Sequence, residues 1–282
     1  MKKHLFFPIL ALLGGGFGFI LRFLQNRTGF EHQTGLPISG DPLAILLPVV
    51  LALLAAACLF FARRLPGETA GAFPTFREHF SPSAASAVPV LCGLTLWLLS
   101  GVLGVLSVDR GITVGGLYFP TAPSAMNLDI IVHALTAVSA CCLLPAAAGM
   151  VPRKNVSDKK SLTDVTVGNM ILLPVVFLVL RLALSYREMA INASQQTYYV
   201  DLLALMFLIL GLYRLSSFAF RCGSTRLFTI YNTMGTVLCL TALADSAPTA
   251  DRLFLAGGAA LMLGFLAGRL AAPMTPPASD EM

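Results

Sequence analysis

Charge is what this chain has least of. Of its 282 residues 12% are charged, against roughly 25% in an ordinary soluble domain, which excludes water as its main solvent. The six cysteines, Cys58, Cys92, Cys141, Cys142, Cys222 and Cys239, form no C-x-x-C pair and have no histidine cluster beside them. That excludes a disulfide framework and a zinc centre and leaves them as small packing residues in apolar runs. The chain has no phosphate loop, no H-E-x-x-H helix, no G-x-S-x-G elbow and no dinucleotide fingerprint, so no catalytic residue, metal or cofactor is assigned and the chain is not read as an enzyme. Gly14 to Gly18 are glycine-rich but sit inside an apolar span without a preceding strand, which makes them packing residues rather than an anion cradle. No basic stripe interleaved with aromatics exists to bind nucleic acid. No stretch is long and polar enough for a nucleotide-binding domain, so any ATP-driven motor would belong to another chain.

What remains is hydrophobic: 56% of the residues, gathered into runs near the length that spans about 30 Å of hydrocarbon at about 1.5 Å per residue. These runs are about Leu5 to Leu24, Pro42 to Phe61, Ala84 to Val108, Ala125 to Met150, Asp164 to Tyr186, Thr197 to Phe220, Leu227 to Ala244 and Asp251 to Leu270. They predict an all-α polytopic transmembrane bundle of eight helices, with residues 1–282 as a single integral membrane domain and no separate soluble domain. Lys2-Lys3-His4 followed by an apolar run reaching Leu24 reads as a retained first helix rather than a cleaved signal. The interior prolines Pro8, Pro48, Pro89, Pro145 and Pro174 are tolerable where neighbouring helices satisfy the freed carbonyls.

Orientation follows from the 19 Lys and Arg. Most fall on the side of both predicted termini and of the loops around Pro66, Asn155 and Cys222, which places those segments in the cytoplasm of a bacterial cell. The loops around Phe30, Gly115, Asn192 and Ser246 then lie outside. The lipid bilayer is the main expected partner, with anionic headgroups against the basic segment Pro152 to Lys160; a partner subunit has no sequence signature. In the first outer loop, Gln25 to Pro42, closely spaced turn residues predict ordered turns. The segment Asp109 to Ser124 is open between a short hairpin and a plain connector. The spaced glycines Gly14 and Gly18, Gly93, Gly101 and Gly104, and Gly264 and Gly268 predict close helix packing within the chain.

Ionisable residues inside the spans are the candidate site. Asp129 and His133 share a helix face, as do Arg181, Ser185 and Glu188 on the next helix. Tyr198 and Asp201 start the sixth helix, and Arg22 lies near the outer end of the first. A charge facing lipid at that depth costs on the order of 1–3 kcal/mol, so these groups should face each other, with Arg181 paired to Asp129 or Asp201. Such a cluster serves either as a structural ion-pair network that fixes helix order or as a binding vestibule. In the vestibule Arg181 receives an anionic group and His133 supplies a side chain that changes charge near neutral pH.

Two elements carry a resemblance. Phe30-Glu31-His32-Gln33-Thr34-Gly35-Leu36-Pro37 and Tyr186-Arg187-Glu188 followed by Tyr198-Tyr199-Val200-Asp201 resemble a group of uncharacterised polytopic bacterial membrane proteins. Asp201 stands where that group carries Glu, which keeps an acid in place. The resemblance implies a multi-pass membrane fold and brings no activity with it. Three functional readings follow: a small-molecule permease or the membrane subunit of a transporter; a membrane scaffold, sensor or assembly factor; and, third, a membrane-embedded enzyme.

Overall fold

In the computed structural model the described residues are 3–31, 38, 41–65, 75–108, 111–114, 117–120, 123–151, 163–189, 199–245 and 247–272. They form eight α-helices: α1 (Lys3–Thr28), α2 (Pro42–Ala62), α3 (Ala84–Leu106), α4 (Pro123–Ala148), α5 (Asp164–Met189), α6 (Tyr199–Ala219), α7 (Thr225–Ala242) and α8 (Thr249–Ala271). A short 3-10 turn, Phe76–His79, precedes α3, and β1 (Gly111–Val114) pairs antiparallel with β2 (Leu117–Pro120) before α4. The segment between α3 and α4 is therefore a hairpin, not a plain connector. Much of the loop between α1 and α2 and all of 152–162 lie outside the described residues.

Local chemistry sets several boundaries. Pro42 opens α2 where its missing N–H costs nothing, and the Asp41 carboxylate accepts from Leu43 N. Ser83 caps α3 by accepting from Ser86 N. The five interior prolines lie within continuous helices, as the sequence allowed.

Seven of the helices are long and apolar enough to cross a membrane, and the protein is a multi-pass integral membrane protein. The eighth, α7, carries Thr229, Asn232, Thr233, Thr236 and Thr241, all buried. Its own backbone satisfies three of these five side chains, while the Thr229 and Thr233 hydroxyls are buried without a hydrogen-bond partner among the described residues. Asn232 Nδ2 donates to Phe228 O, Thr236 Oγ1 to Asn232 O and Thr241 Oγ1 to Val237 O, at 2.8, 2.9 and 2.8 Å.

Around the bundle α3, α4, α5, α6, α7 and α8 pack each on the next, and α8 returns to α3; α1 and α2 layer onto α7. The α3–α8 seam is backbone-close. A Cβ on Gly93 would meet Leu261 Cγ at 2.6 Å and the Gly257 carbonyl at 2.7 Å, so small residues there are a packing requirement within the chain. Trp97 Nε1 donates to Phe254 O at 2.9 Å and Ser100 Oγ to Ala250 O at 2.7 Å across the same seam. Large apolar side chains on α2, Ile45, Val49, Leu53 and Phe60 among them, are exposed, which is the surface a bilayer covers.

Phe7 of α1 packs with Cys58, Ala62, Leu266 and Leu270, so the start of α1 and the ends of α2 and α8 share one end of the bundle. That end is sealed by an aromatic plug. Phe80 meets the rings of Phe76, Phe218, Phe228 and Phe265 at centroid distances of 5.1, 5.6, 6.1 and 6.3 Å. Arg269, wholly buried, ties the plug down by donating to His79 O and to Thr225 Oγ1, each at 2.9 Å.

Candidate functional site: a polar vestibule at the opposite end

At the opposite end the sequence-predicted ionisable residues gather, though as two linked groups rather than one. Arg181, about two turns before the end of α5, donates from Nη2 to Asp251 Oδ1 at 2.5 Å. The expected partners, Asp129 and Asp201, are corrected: the acid that reaches Arg181 stands in the first turn of α8. The physical reason is position on the ring. Asp251, in the first turn of α8, meets Arg181 beside the Phe254 ring, while Asp129 is exposed. Arg181 also lies over the Phe254 ring, 4.0 Å from its centroid, a cation–π contact, and its Nη1 reaches Thr136 Oγ1 at 3.4 Å.

Above Arg181 opens a cavity of about 110 Å³ lined by Asp129, His133, Arg181, Ser185, Arg187 and Asp251 with Leu128, Val132 and Leu184. That is room for several waters, since one needs on the order of 10–15 Å³. Below it lies a second cavity of about 10 Å³, bounded by Trp97, Val132, Leu135, Thr136, Ser139, Phe177, Leu178, Arg181 and Phe254, large enough for roughly one water. Arg181 borders both. Trp97 and Phe254 stack at 5.2 Å and form the apolar wall of the lower one.

His133 sits in the upper wall within electrostatic reach of Arg181, Asp251 and Asp129. Its Nδ1 is buried without a hydrogen-bond partner among the described residues. The ring lies against Gly104 of α3, where any Cβ would overlap it; glycine is what lets this histidine face inward.

Arg22 does not join the Arg181 group directly. Fully buried, it donates from Nε to Asp245 Oδ1 at 2.7 Å and from Nη1 to Gln25 Oε1 at 3.0 Å, and it lies 5.5 Å from the Tyr199 ring centroid. Asn26 Nδ2 adds donors to Asp245 Oδ1 and Ala244 O at 2.8 and 3.1 Å. Asp201 lies between the two groups, in electrostatic reach of Asp245, Arg22, Asp251 and Arg181. Glu188 is in α5 but its side chain is outside the described residues, and Tyr198 is outside them altogether.

Asp245 and Asp251 were missed from sequence. Both flank the α7–α8 turn, where an acid looks like ordinary loop polarity. The available signal was that Arg22 and Arg181, each inside an apolar span, needed acids at their own depth. Among the described residues no group of three or more His, Cys, Asp or Glu is placed to hold a metal ion. Comparison with known proteins finds no matching family model, no matching curated protein and no matching solved structure.

Proposed function

We propose that the chain is a small-molecule permease, or the membrane subunit of one, whose solute enters through the vestibule above Arg181. The observation that carries this reading is that Arg181, the one charged side chain common to both linings, borders the upper polar cavity and the lower aromatic one. Held by Asp251, it is the floor of the first and the roof of the second. A salt bridge in that place is a gate: it opens when a solute group competes for either partner and closes behind it. The side chains of Arg181 and Asp251 are 12% and 32% exposed, so a solute in the vestibule reaches both. The aromatic plug at the far end supports a barrier there, as alternating access demands.

The fit is for a compact polar solute. An anionic group would replace Asp251 on Arg181 and a cationic or amide group would replace Arg181 on Asp251. In this reading the basic loops keep both termini in the cytoplasm and the vestibule faces out of a bacterial cell membrane. Anionic headgroups flank the basic loops.

The test is exchange in proteoliposomes with a panel of radiolabelled acidic, zwitterionic and neutral solutes. The reading expects at least one to be exchanged by the native protein and not by Arg181→Ala purified as a monodisperse sample. Exchange of every solute at the rate of protein-free vesicles would overturn it. Orientation is checked separately by impermeant thiol labelling of Ser39→Cys, expected to react from outside intact cells, and Lys154→Cys, expected not to.

A further inference from the structure

The second polar group, beside the vestibule, holds buried polar atoms that the rest of the described residues leave unpartnered. Asn26 Oδ1, Asp201 Oδ1, Asp245 Oδ2 and the Tyr199 hydroxyl are buried, and none has a hydrogen-bond partner among the described residues. These atoms come from three elements, α1, α6 and the α7–α8 turn, and the Asp245 side chain is only 8% exposed. Charge is unbalanced in the same place. Arg22 is matched with Asp245 and Arg181 with Asp251, while Asp201 makes no ion pair among the described residues. Cys239 on α7 faces it as well, and Tyr199, two residues away on the same helix, faces Arg22 and Asp245. Neither supplies positive charge. Asp201 stands in the first turn of α6, and the helix dipole there offsets less than an unpaired buried carboxylate costs.

We propose that this cluster is a proton-binding site in which the Asp201 carboxyl takes a proton from water. The ligand is identified by what the cluster lacks: one positive charge to match Asp201. A proton on Asp201 supplies it by neutralising the unmatched acid. When the proton leaves, Asp201 competes with Asp245 for Arg22. Asp245 shares the α7–α8 turn with Asp251, the partner of Arg181, so proton release loosens the vestibule gate. This last link rests on the permease reading; the proton site does not.

The two are tested separately. Infrared difference spectroscopy of the native protein in nanodiscs, titrated with acid, reads protonated carboxyls directly. A titrating carboxyl band is expected in the native protein and in Asp129→Asn, and its loss in Asp201→Asn. The amide mimics a protonated acid, so that variant should fold as the native chain does, and Asp201→Glu should restore a band at a shifted frequency. An unchanged band in Asp201→Asn, or a response to sodium at fixed pH in place of acid, overturns the site. In proteoliposomes, a pH gradient should drive solute accumulation by the native protein, and Asp201→Asn should exchange solute without responding to the gradient. Equal gradient responses overturn the coupling alone. If no solute moves at all, the permease reading fails while the infrared result still decides the proton site.

Discussion

At one end of α8 Arg269 is wholly buried beneath the Phe76–His79 turn, bonded to a carbonyl and a hydroxyl and lying against the Phe218 ring of the aromatic plug. At the other end Asp251 holds Arg181 at the wall of a cavity, with Asp129, His133 and Arg187 around it. The same helix is thus sealed by rings at one end and by charge at the other. The difference teaches where each kind of closure suits. An aromatic plug is stabilised by burial and has no small competitor, whereas an ion pair beside water can be exchanged by any solute that carries a matching group.

The comparison can be broken at several points. The largest effect is expected from Arg22→Ala, which strands Asp245 in the interior; breaking a buried pair from one side costs on the order of 3–5 kcal/mol. Thermal unfolding of purified protein, followed through the only tryptophan, Trp97, should show a large loss or no folded material. Phe80→Ala removes the ring that four others meet and should cost about 3 kcal/mol, the low end for a buried phenylalanine. Gly93→Leu overpacks the α3–α8 seam and should cost about 1–3 kcal/mol in the same unfolding assay. Gly16, by contrast, has open space around it. There Gly16→Ala should change stability by no more than about 1 kcal/mol, in the stabilising direction, through helix propensity.

Most of the bundle was legible because a bilayer imposes one rule, the length of an apolar run, and all eight helices fall within a few residues of the predicted spans. The helix least like a membrane span, α7, was still found because its flanks Leu227 and Ala244 bracket an apolar stretch. Its role at the centre of the bundle was hidden, because periodicity cannot rank helices by depth. In the candidate site, Asp129, His133 and Arg181 were recognised and do share one cavity wall. Their ion-pair chemistry was misassigned because depth along neighbouring helices says nothing of which helices are neighbours. Only tertiary packing brings α8 beside α5's arginine and the α7–α8 turn beside Arg22. The glycines were legible as packing residues, but that Gly104 makes room for His133 needed the structure.

If the Arg181–Asp251 pair partitions the two cavities, Trp97, which walls the lower one, reports on it without added labels. Quenching of Trp97 emission by a membrane-impermeant hydrophilic quencher should be weak in native proteoliposomes and strong in Arg181→Ala, while elution as a monodisperse peak shows that the variant is folded. Trp97 remaining equally shielded in a folded Arg181→Ala protein would contradict the gate.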